Sequence, residues 1–369
     1  MYIYEQNEWP NFHWNMEDVW DILQSVIYNQ GKLAAIVHSL GFQELEESRL
    51  NLMTQDVLQT SLIEGEKLDE HDVRSSIARK LGLPLHMYKS SRRNADGIVQ
   101  ISIDSTLNAS VLLSKERLCE WHQYLFPMGY SGFSKIDVGE YRTDIHGKMQ
   151  VISGSFGKEK VHFEAPAANY IEAEMCKFLT WYNEAPIDSY FLKAAVAHLW
   201  FVTIHPFDDG NGRIVRALTD MLLARSEENK QRFYSMSAAI FDQKRSYYEA
   251  LENAQKGNLD ITAWIVWFLN CANTALQNSY DVIILSMKKE SFWKKIRQIS
   301  LNERQTKVLN KLLDGFEGKL TTSKYAKINQ CSQDTAHRDL LLLIEKGLVQ
   351  KSDDRGRNVH YFLNEEFMN

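Results

Sequence analysis

The stretch His205-Pro-Phe-Asp-Asp-Gly-Asn-Gly-Arg-Ile-Val-Arg216 decides how the rest of this chain is read. An apolar run, Ala194 to Ile204, leads into it as a helix, and Pro206 ends that helix by removing a backbone donor and restricting the residue before it. Asp209-Gly210-Asn211-Gly212 then turns the chain, and a new helix is expected near Arg213. Gly210 and Gly212 permit backbone torsions that gather successive N–H groups into an anion nest. That nest opens onto a helix N-terminus, where unpaired N–H groups and the helix dipole favour phosphate. Arg213 and Arg216, three apart, share one helix face and both reach phosphate oxygens. A carboxylate beside a phosphate cradle is costly unless a cation lies between them, so Asp209 reads as a Mg2+ ligand. His205, at the mouth, is the natural general base for a hydroxyl nucleophile. Singly, each feature is common in purely structural roles. In this order they describe a phosphoryl-type transfer site with a metal, a positive clamp and one base.

Working outward, the periodicity is mostly helical. Trp20, Ile22, Leu23, Val26 and Ile27 form one apolar stripe, and Leu33, Ile36, Val37 and Leu40 a second that Gly41 would stop. A third helix is expected through Leu50, Met53, Val57, Leu58, Leu62 and Ile63, ending near Gly65, and a fourth over Ser75 to Leu81, before Gly82 and Pro84. Leu107 to Leu125 reads as another amphipathic run. Between Gly139 and Phe163 the pattern changes to alternation, with a turn expected from Gly154 to Lys160, which predicts a hairpin. Helices resume at Ile171 to Tyr182, Phe191 to Ile204, after Gly212, at Tyr247 to Gln255 and through Ile261 to Leu285. The last part predicts helices at Glu303 to Leu313, Thr322 to Ile328 and Gln333 to Lys346, with Ser332 as N-cap and Gly347 as stop. Strands at Leu348 to Lys351 and Val359 to Phe362 follow, the element order of a winged helix-turn-helix.

Bulk properties limit the alternatives. A chain of 369 residues is too long for one ordinary core. Its first residues lack a basic region followed by an apolar one, so no signal peptide is expected. The most apolar stretch, Ile261 to Leu269, is far shorter than the ~20 residues of a membrane span. Four cysteines (Cys119, Cys176, Cys271, Cys331) stand singly, which excludes a disulfide framework or zinc knuckle and fits a reducing, cytoplasmic setting. From Ser286 onward 16 Lys and Arg stand against 11 Asp and Glu, leaving about +5 there and −11 in the rest of a chain of net charge −6.

His205 to Arg216 resembles, at every defined position, the signature of the Fic family, His-Pro-Phe-x-(Asp/Glu)-Gly-Asn-Gly-Arg-x-x-Arg. The resemblance implies a mainly α fold: a helical Fic core with a small β-hairpin flap, here with a C-terminal winged helix-turn-helix domain. It also implies ATP and Mg2+, and transfer of AMP to a Ser, Thr or Tyr hydroxyl of a target protein. By matching position His205 is the base and Asp209 the metal ligand. Gly210, Asn211 and Gly212 hold the α- and β-phosphates, and Arg213 and Arg216 the outer phosphates. The hairpin Gln150 to Phe163 stands where the family places a flap that holds the target by strand addition. Tyr247-Tyr248-x-x-Leu251 resembles a helix lining the adenine pocket, although an aromatic pair at a helix start also serves a core. Upstream, Thr60-Ser-Leu-Ile-Glu64-Gly65 resembles the family's inhibitory motif, with Glu64 pairing Arg216 where the γ-phosphate belongs.

Three segments are expected: 1–95, helical with the inhibitory motif; 96–280, the Fic core; and 286–369, the winged helix. Trp9-Pro10-Asn11-Phe12 and Trp14 resemble a helical cap of structural role. His198 is expected to be a packed core histidine rather than half of a metal pair. Self-modification is one expected outcome, and the oligomeric state, a homodimer included, stays open. The same site would also serve UMP transfer, phosphorylation, or removal of AMP with Glu64 orienting water. DNA binding through Gln333 to Lys346 and a wing at Arg355-Gly-Arg357 is the remaining alternative. It is disfavoured by Asp334, Asp339 and Glu345 on that helix against only Arg338 and Lys346.

Overall fold

Apolar residues spaced at three and four make most of the chain helical, and helix accounts for 63% of the computed structural model. The structure describes every residue except 84–94, 146, 155–159, 228–231, 355–357, 365 and 367–369, and leaves aside the side chains of 42–44. The expected wing residues Arg355 to Arg357, Pro84 and most of the hairpin turn therefore lie outside the described residues. The chain divides into two compact units, Met1–Ser279 and Tyr280–Asn369.

In chain order the helices begin with α1 (Met16–Val37), α2 (Phe42–Ile63), α3 (Glu70–Lys80), α4 (Asp96–Leu107) and α5 (Lys115–Leu125). Two antiparallel strand pairs follow, β1 (Tyr130–Ser131) with β2 (Ser134–Lys135), and β3 (Gln150–Ser153) with β4 (Lys160–Glu164). Then come α6 (Ile171–Glu184), α7 (Tyr190–Ile204), α8 (Asn211–Arg225), α9 (Met236–Asp242), α10 (Lys244–Gln255) and α11 (Thr262–Lys295).

A helix that is apolar on all sides has to be buried on all sides. α7 is such a helix: every residue from Phe191 to Ile204 is buried, as is every residue of α8 from Ile214 to Ala224. The loop joining them, Pro206 to Gly210, is thus held at both ends by the core. α2 packs across α8 and α9, which brings its C-terminal end to this loop.

Several elements differ from the sequence reading. The two N-terminal stripes form one helix, α1, running through Gly31. A glycine inside a helix costs only about 1 kcal/mol against Ala, and neither a proline nor a cap separates the stripes. The expected run from Leu107 to Leu125 is instead the end of α4, a loop, and α5. Ser114 restarts the helix by accepting from the Arg117 N–H at 3.3 Å. α9 was not anticipated from periodicity because it spans only seven residues; Ser235 caps it by accepting from Ala238 N at 2.9 Å. α11 continues past Leu285 to Lys295.

Gly97 marks a close crossing. A Cβ there would lie 1.9 Å from the Tyr124 carbonyl oxygen, so α4 meets the end of α5 backbone to backbone. Gly97→Ala is expected to destabilise the chain by about 1–3 kcal/mol, the range for overpacking. A urea midpoint unchanged from the parent chain would show that this crossing yields freely.

The second unit contains α12 (Glu303–Leu313), α13 (Thr322–Asn329) and α14 (Gln333–Glu345), followed by the antiparallel pair β5 (Val349–Lys351) and β6 (Tyr361–Leu363). Ser332 caps α14 by accepting from Thr335 N, and Gly347 ends it with φ 71°. Val308, Leu309, Tyr325, Leu340, Leu343 and Leu348 fill its core. Asp339, read from the sequence as an outward charge of α14, is buried. It accepts from Arg304 Nε at 2.7 Å, Asn302 Nδ2 at 2.9 Å and the Tyr325 hydroxyl at 3.1 Å.

Candidate active site

His205 is the residue after α7, and it closes that helix in the left-handed conformation, φ 53° and ψ 59°. Few residues other than glycine adopt this region, and such strain persists only where surroundings enforce it. Arg142 enforces it. Its Nε donates to the His205 carbonyl at 2.8 Å, its backbone N–H to Pro206 O at 2.9 Å, and Nη2 to Pro166 O at 2.5 Å. Arg142 is itself almost wholly buried, and nothing in the sequence marked it.

His205 Nδ1 lies 3.2 Å from the Val202 carbonyl. A carbonyl only accepts, so Nδ1 carries the proton and Nε2 keeps its lone pair. Burial disfavours the imidazolium and lowers the His205 pKa to about 4, with Arg142 adding to the effect. The ring is therefore neutral at pH 7 and able to accept a proton. The His205 Cε1–H resonance is expected to stay fixed from pH 8 to about 5.5 and move only below that. A titration centred near the ordinary 6.5 would show instead that the ring is solvated.

The loop is closed by Asn211, which is buried. Its Oδ1 accepts from Phe207 N at 3.0 Å and its Nδ2 donates to Phe207 O at 2.7 Å. Both ends of the Asn211 amide are thus engaged inside the protein, and what it offers an anion is its backbone N–H. Gly210 has φ 81°, a conformation that brings the chain round into α8. A Cβ on Gly212 would lie 2.2 Å from Glu64 Oε1 and 3.2 Å from Arg216 Nη1. The Glu64 carboxylate therefore rests against the first turn of α8, where a phosphate would bind.

Both arginines face this point. Arg216 is buried; its Nη2 meets Glu64 Oε1 at 2.7 Å and Thr60 O at 3.1 Å, and its Nε donates to Thr60 Oγ1 at 2.7 Å. Arg213 Nη1 pairs with Glu66 Oε2 at 3.0 Å, and its guanidinium lies 5.1 Å from the Phe126 ring centre. Arg216 Nη1 and Arg213 Nε are buried without a hydrogen-bond partner among the described residues. Orphaned donors of this kind fit an incoming phosphate. Glu64 follows α2 as its C-cap, and Gly65, φ 82°, turns the chain so that Glu64 and Glu66 reach the two arginines. Sequence reading singled out Glu64; Glu66 was missed.

Asp209 is partly exposed beside the cradle. Its Oδ1 accepts from Gly210 N at 2.6 Å, and its Oδ2 accepts from the Ser131 hydroxyl. Mg2+ takes one or two carboxylates together with water and substrate phosphates, so one carboxylate next to an anion cradle suits it. Among the described residues no three His, Cys, Asp or Glu side chains gather as an all-protein metal site.

Of the aromatic pair, Tyr247 is buried with its hydroxyl 2.8 Å from His198 Nε2, inside a cluster with Trp264 and Trp267. Tyr248 is 41% exposed, with its hydroxyl 3.5 Å from Ile63 O, next to the end of α2. Only Tyr248 offers a ring face to a ligand. His198 is fully buried between Thr219 and Tyr247, as a core histidine should be.

β3 and β4 pair as an antiparallel hairpin, Gln150 opposite Glu164 and Val151 opposite Phe163, with a bulge after Val151. Phe163 is buried edge-on beneath Tyr2 and Tyr4. His162 lies 2.6 Å from Glu252 Oε2 through Nδ1 and 2.6 Å from Ser153 Oγ through Nε2, which ties the hairpin to α10.

Comparison with known proteins places this geometry. Residues 2–83 match a family model described as a domain of unknown function (DUF4172), and residues 112–223 match one described as Fic/DOC family. Protein adenylyltransferase fic-1 of Caenorhabditis briggsae is 26% identical over 251 residues, which are 64% of this chain and 43% of that protein. Protein adenylyltransferase Fic of Drosophila erecta is 27% identical over 245 residues, 65% of this chain and 40% of that protein. The chain thus spans about two-fifths of the length of these curated relatives. A Fic family protein from Desulfovibrio desulfuricans G20 shares the fold, with a TM-score of 0.56 over 95% of this chain and 97% of that one at 16% identity. No helix among the described residues is long and apolar enough to cross a membrane.

Proposed function

We propose that this chain, whose residues 112–223 match the family model described as Fic/DOC family, is a protein adenylyltransferase, moving AMP from ATP to a Ser, Thr or Tyr hydroxyl of a target protein. One observation supports this reading above the others. His205, with its proton on Nδ1 and the Nε2 lone pair unprotonated, ends α7 just before the loop that leads into the anion cradle of Gly212, Arg213 and Arg216, and that cradle holds a carboxylate of the chain itself. A site shaped for a polyphosphate, next to a neutral base, is suited to phosphoryl-type transfer.

In this proposal backbone N–H groups at the start of α8 hold the α- and β-phosphates, and Arg213 and Arg216 hold the outer ones. The target hydroxyl oxygen attacks the α-phosphorus, its proton passes to His205 Nε2, and the bond to the β-phosphate breaks to release pyrophosphate. Mg2+ beside Asp209 would offset the charge that builds on the leaving group. Tyr248 would stack on the adenine, with Tyr247 packed behind it. β4 is occupied by α10 and by the Tyr4 hydroxyl on Glu164 O at 3.0 Å, so β3 is the edge proposed to pair with an extended target segment. Glu64 would be inhibitory, filling the place of the γ-phosphate.

We assign residues 1–95 to the inhibitory region, 96–280 to the catalytic core and 286–369 to a winged helix. For the last, docking to protein is preferred over DNA: α14 exposes Leu341 and Leu342, apolar side chains that offer phosphate nothing. Incubation with ATP and Mg2+ followed by intact-mass analysis tests the main reading. Addition of one AMP supports it. No addition in a Glu64→Gly chain that binds ATP would overturn it.

A further inference from the structure

Ser131, on the small hairpin β1–β2, stands outside the signature and has no part in the reading above, yet its hydroxyl donates to Asp209 Oδ2. The other carboxylate oxygen, Oδ1, accepts from Gly210 N at 2.6 Å. The two bonds together fix the plane of the carboxylate. The backbone of Asp209 is fixed as well. His122 Nδ1 accepts from Gly139 N at 3.1 Å, so its proton is on Nε2, which donates to Asp209 O at 3.2 Å. The His122 ring is buried and stacks on Phe207, 4.4 Å between centres.

The hairpin is built to hold Ser131 there. Tyr130 pairs with Lys135 and Ser131 with Ser134, and Gly132 between them takes φ 56°, which closes the turn. Asp137 N donates to Asp208 Oδ2 at 3.0 Å, so the exit of the hairpin is stitched to the same loop. Residues 130–137 thus form a clasp over the acidic pair of the motif, reaching it from a part of the chain about 80 residues earlier.

We infer that Ser131 is a positioning residue for the metal: its hydroxyl, donating to Oδ2, holds the Asp209 carboxylate in the orientation in which it would hold Mg2+. This rests on the reading of Asp209 as a Mg2+ ligand. A metal-binding carboxylate normally has such an outer hydrogen bond, and its loss costs about 10–100-fold in metal affinity. Without Ser131 only the Gly210 N–H restrains the Asp209 carboxylate, and part of its ordering falls to the metal.

The test uses the full chain in a Glu64→Gly, His205→Asn background, which takes Glu64 out of the cradle, removes the base and keeps the left-handed conformation at 205 ahead of the Asp209 loop. ATP binding is measured by calorimetry with Mg2+ and again with EDTA, and the ratio of the two affinities isolates what the metal adds. Ser131→Ala is expected to reduce that ratio about 10-fold while leaving ATP binding in EDTA unchanged, and Ser131→Thr, which keeps the hydroxyl, to restore it. Thermal melts of the same variants should coincide, since the residue is at a surface hairpin. A ratio unaltered by Ser131→Ala, in a background where Asp209→Ala abolishes it, overturns the inference alone. A ratio unaltered by Asp209→Ala overturns the inference together with the ligand assignment beneath it. Equal weakening with and without Mg2+ would make Ser131 a structural residue of the cradle, and that too overturns the inference.

Discussion

Glu64→Gly is expected to raise the rate of AMP addition about 10–100-fold. The Glu64 carboxylate makes a charge-assisted hydrogen bond to Arg216 and rests against Gly212, and under the proposed function an ATP γ-phosphate would have to displace it before the productive pose forms. A bond of that kind is worth about 1.5–3 kcal/mol, the energy of a 10- to 150-fold change in occupancy. The substitution should not disorganise the clamp. Thr60 also holds Arg216, through both its carbonyl and its hydroxyl, in contacts that do not involve the Glu64 side chain. Glu64 is only the C-cap of α2, and the turn beyond it depends on Gly65 rather than on the glutamate. Release is expected to be partial, because Glu66 keeps Arg213. A Glu64→Gly, Glu66→Ala chain should therefore exceed the single variant. Intact-mass time courses of the three proteins at one ATP concentration decide it, and equal rates in the parent and the Glu64→Gly chain would remove the inhibitory role.

His205→Ala, in the Glu64→Gly background, is expected to lower AMP addition by about 10²–10⁴-fold, the usual contribution of a general base. ATP affinity should change little, because the cradle consists of α8 backbone and arginines. Alanine tolerates the left-handed conformation at 205 poorly, so a loss of activity could reflect a distorted loop. His205→Asn separates the two causes. Asparagine accepts that conformation readily but has no basic nitrogen, and it should be as inactive as alanine while melting with the parent. Activity retained in the asparagine variant would sink the assignment of the base.

The signature could be read in the sequence because its chemistry is local. His205, Asp209, Gly210, Gly212, Arg213 and Arg216 lie within one helix end, one turn and one helix start, where spacing alone sets direction. Glu64 was legible for a different reason, the resemblance of Thr60 to Gly65 to an inhibitory motif, and its partner had to be supplied by that resemblance. Other residues at the site were not legible. Arg142 is one arginine among many until its guanidinium is seen holding His205 O and Pro166 O. Ser131, His122 and Glu66 likewise lie far along the chain from what they touch, and no spacing in their own segments names those partners. The aromatic pair shows the converse: sequence offered core and adenine as alternatives for both tyrosines, and burial divides them, Tyr247 inward and Tyr248 outward.

By itself, then, the sequence determined the helical periodicity, the break at Pro206, the glycine-permitted turn and the charges of the cradle, since each follows from the conformational and chemical properties of neighbouring residues. Only the tertiary structure decided that Glu66 joins Glu64 at the cradle by pairing with Arg213, which arginine holds His205 and which hydroxyl meets Asp209. Those contacts join residues 63 to 147 positions apart, and at such separations the partner of a charge or hydroxyl is set by how whole helices pack, which no local pattern encodes.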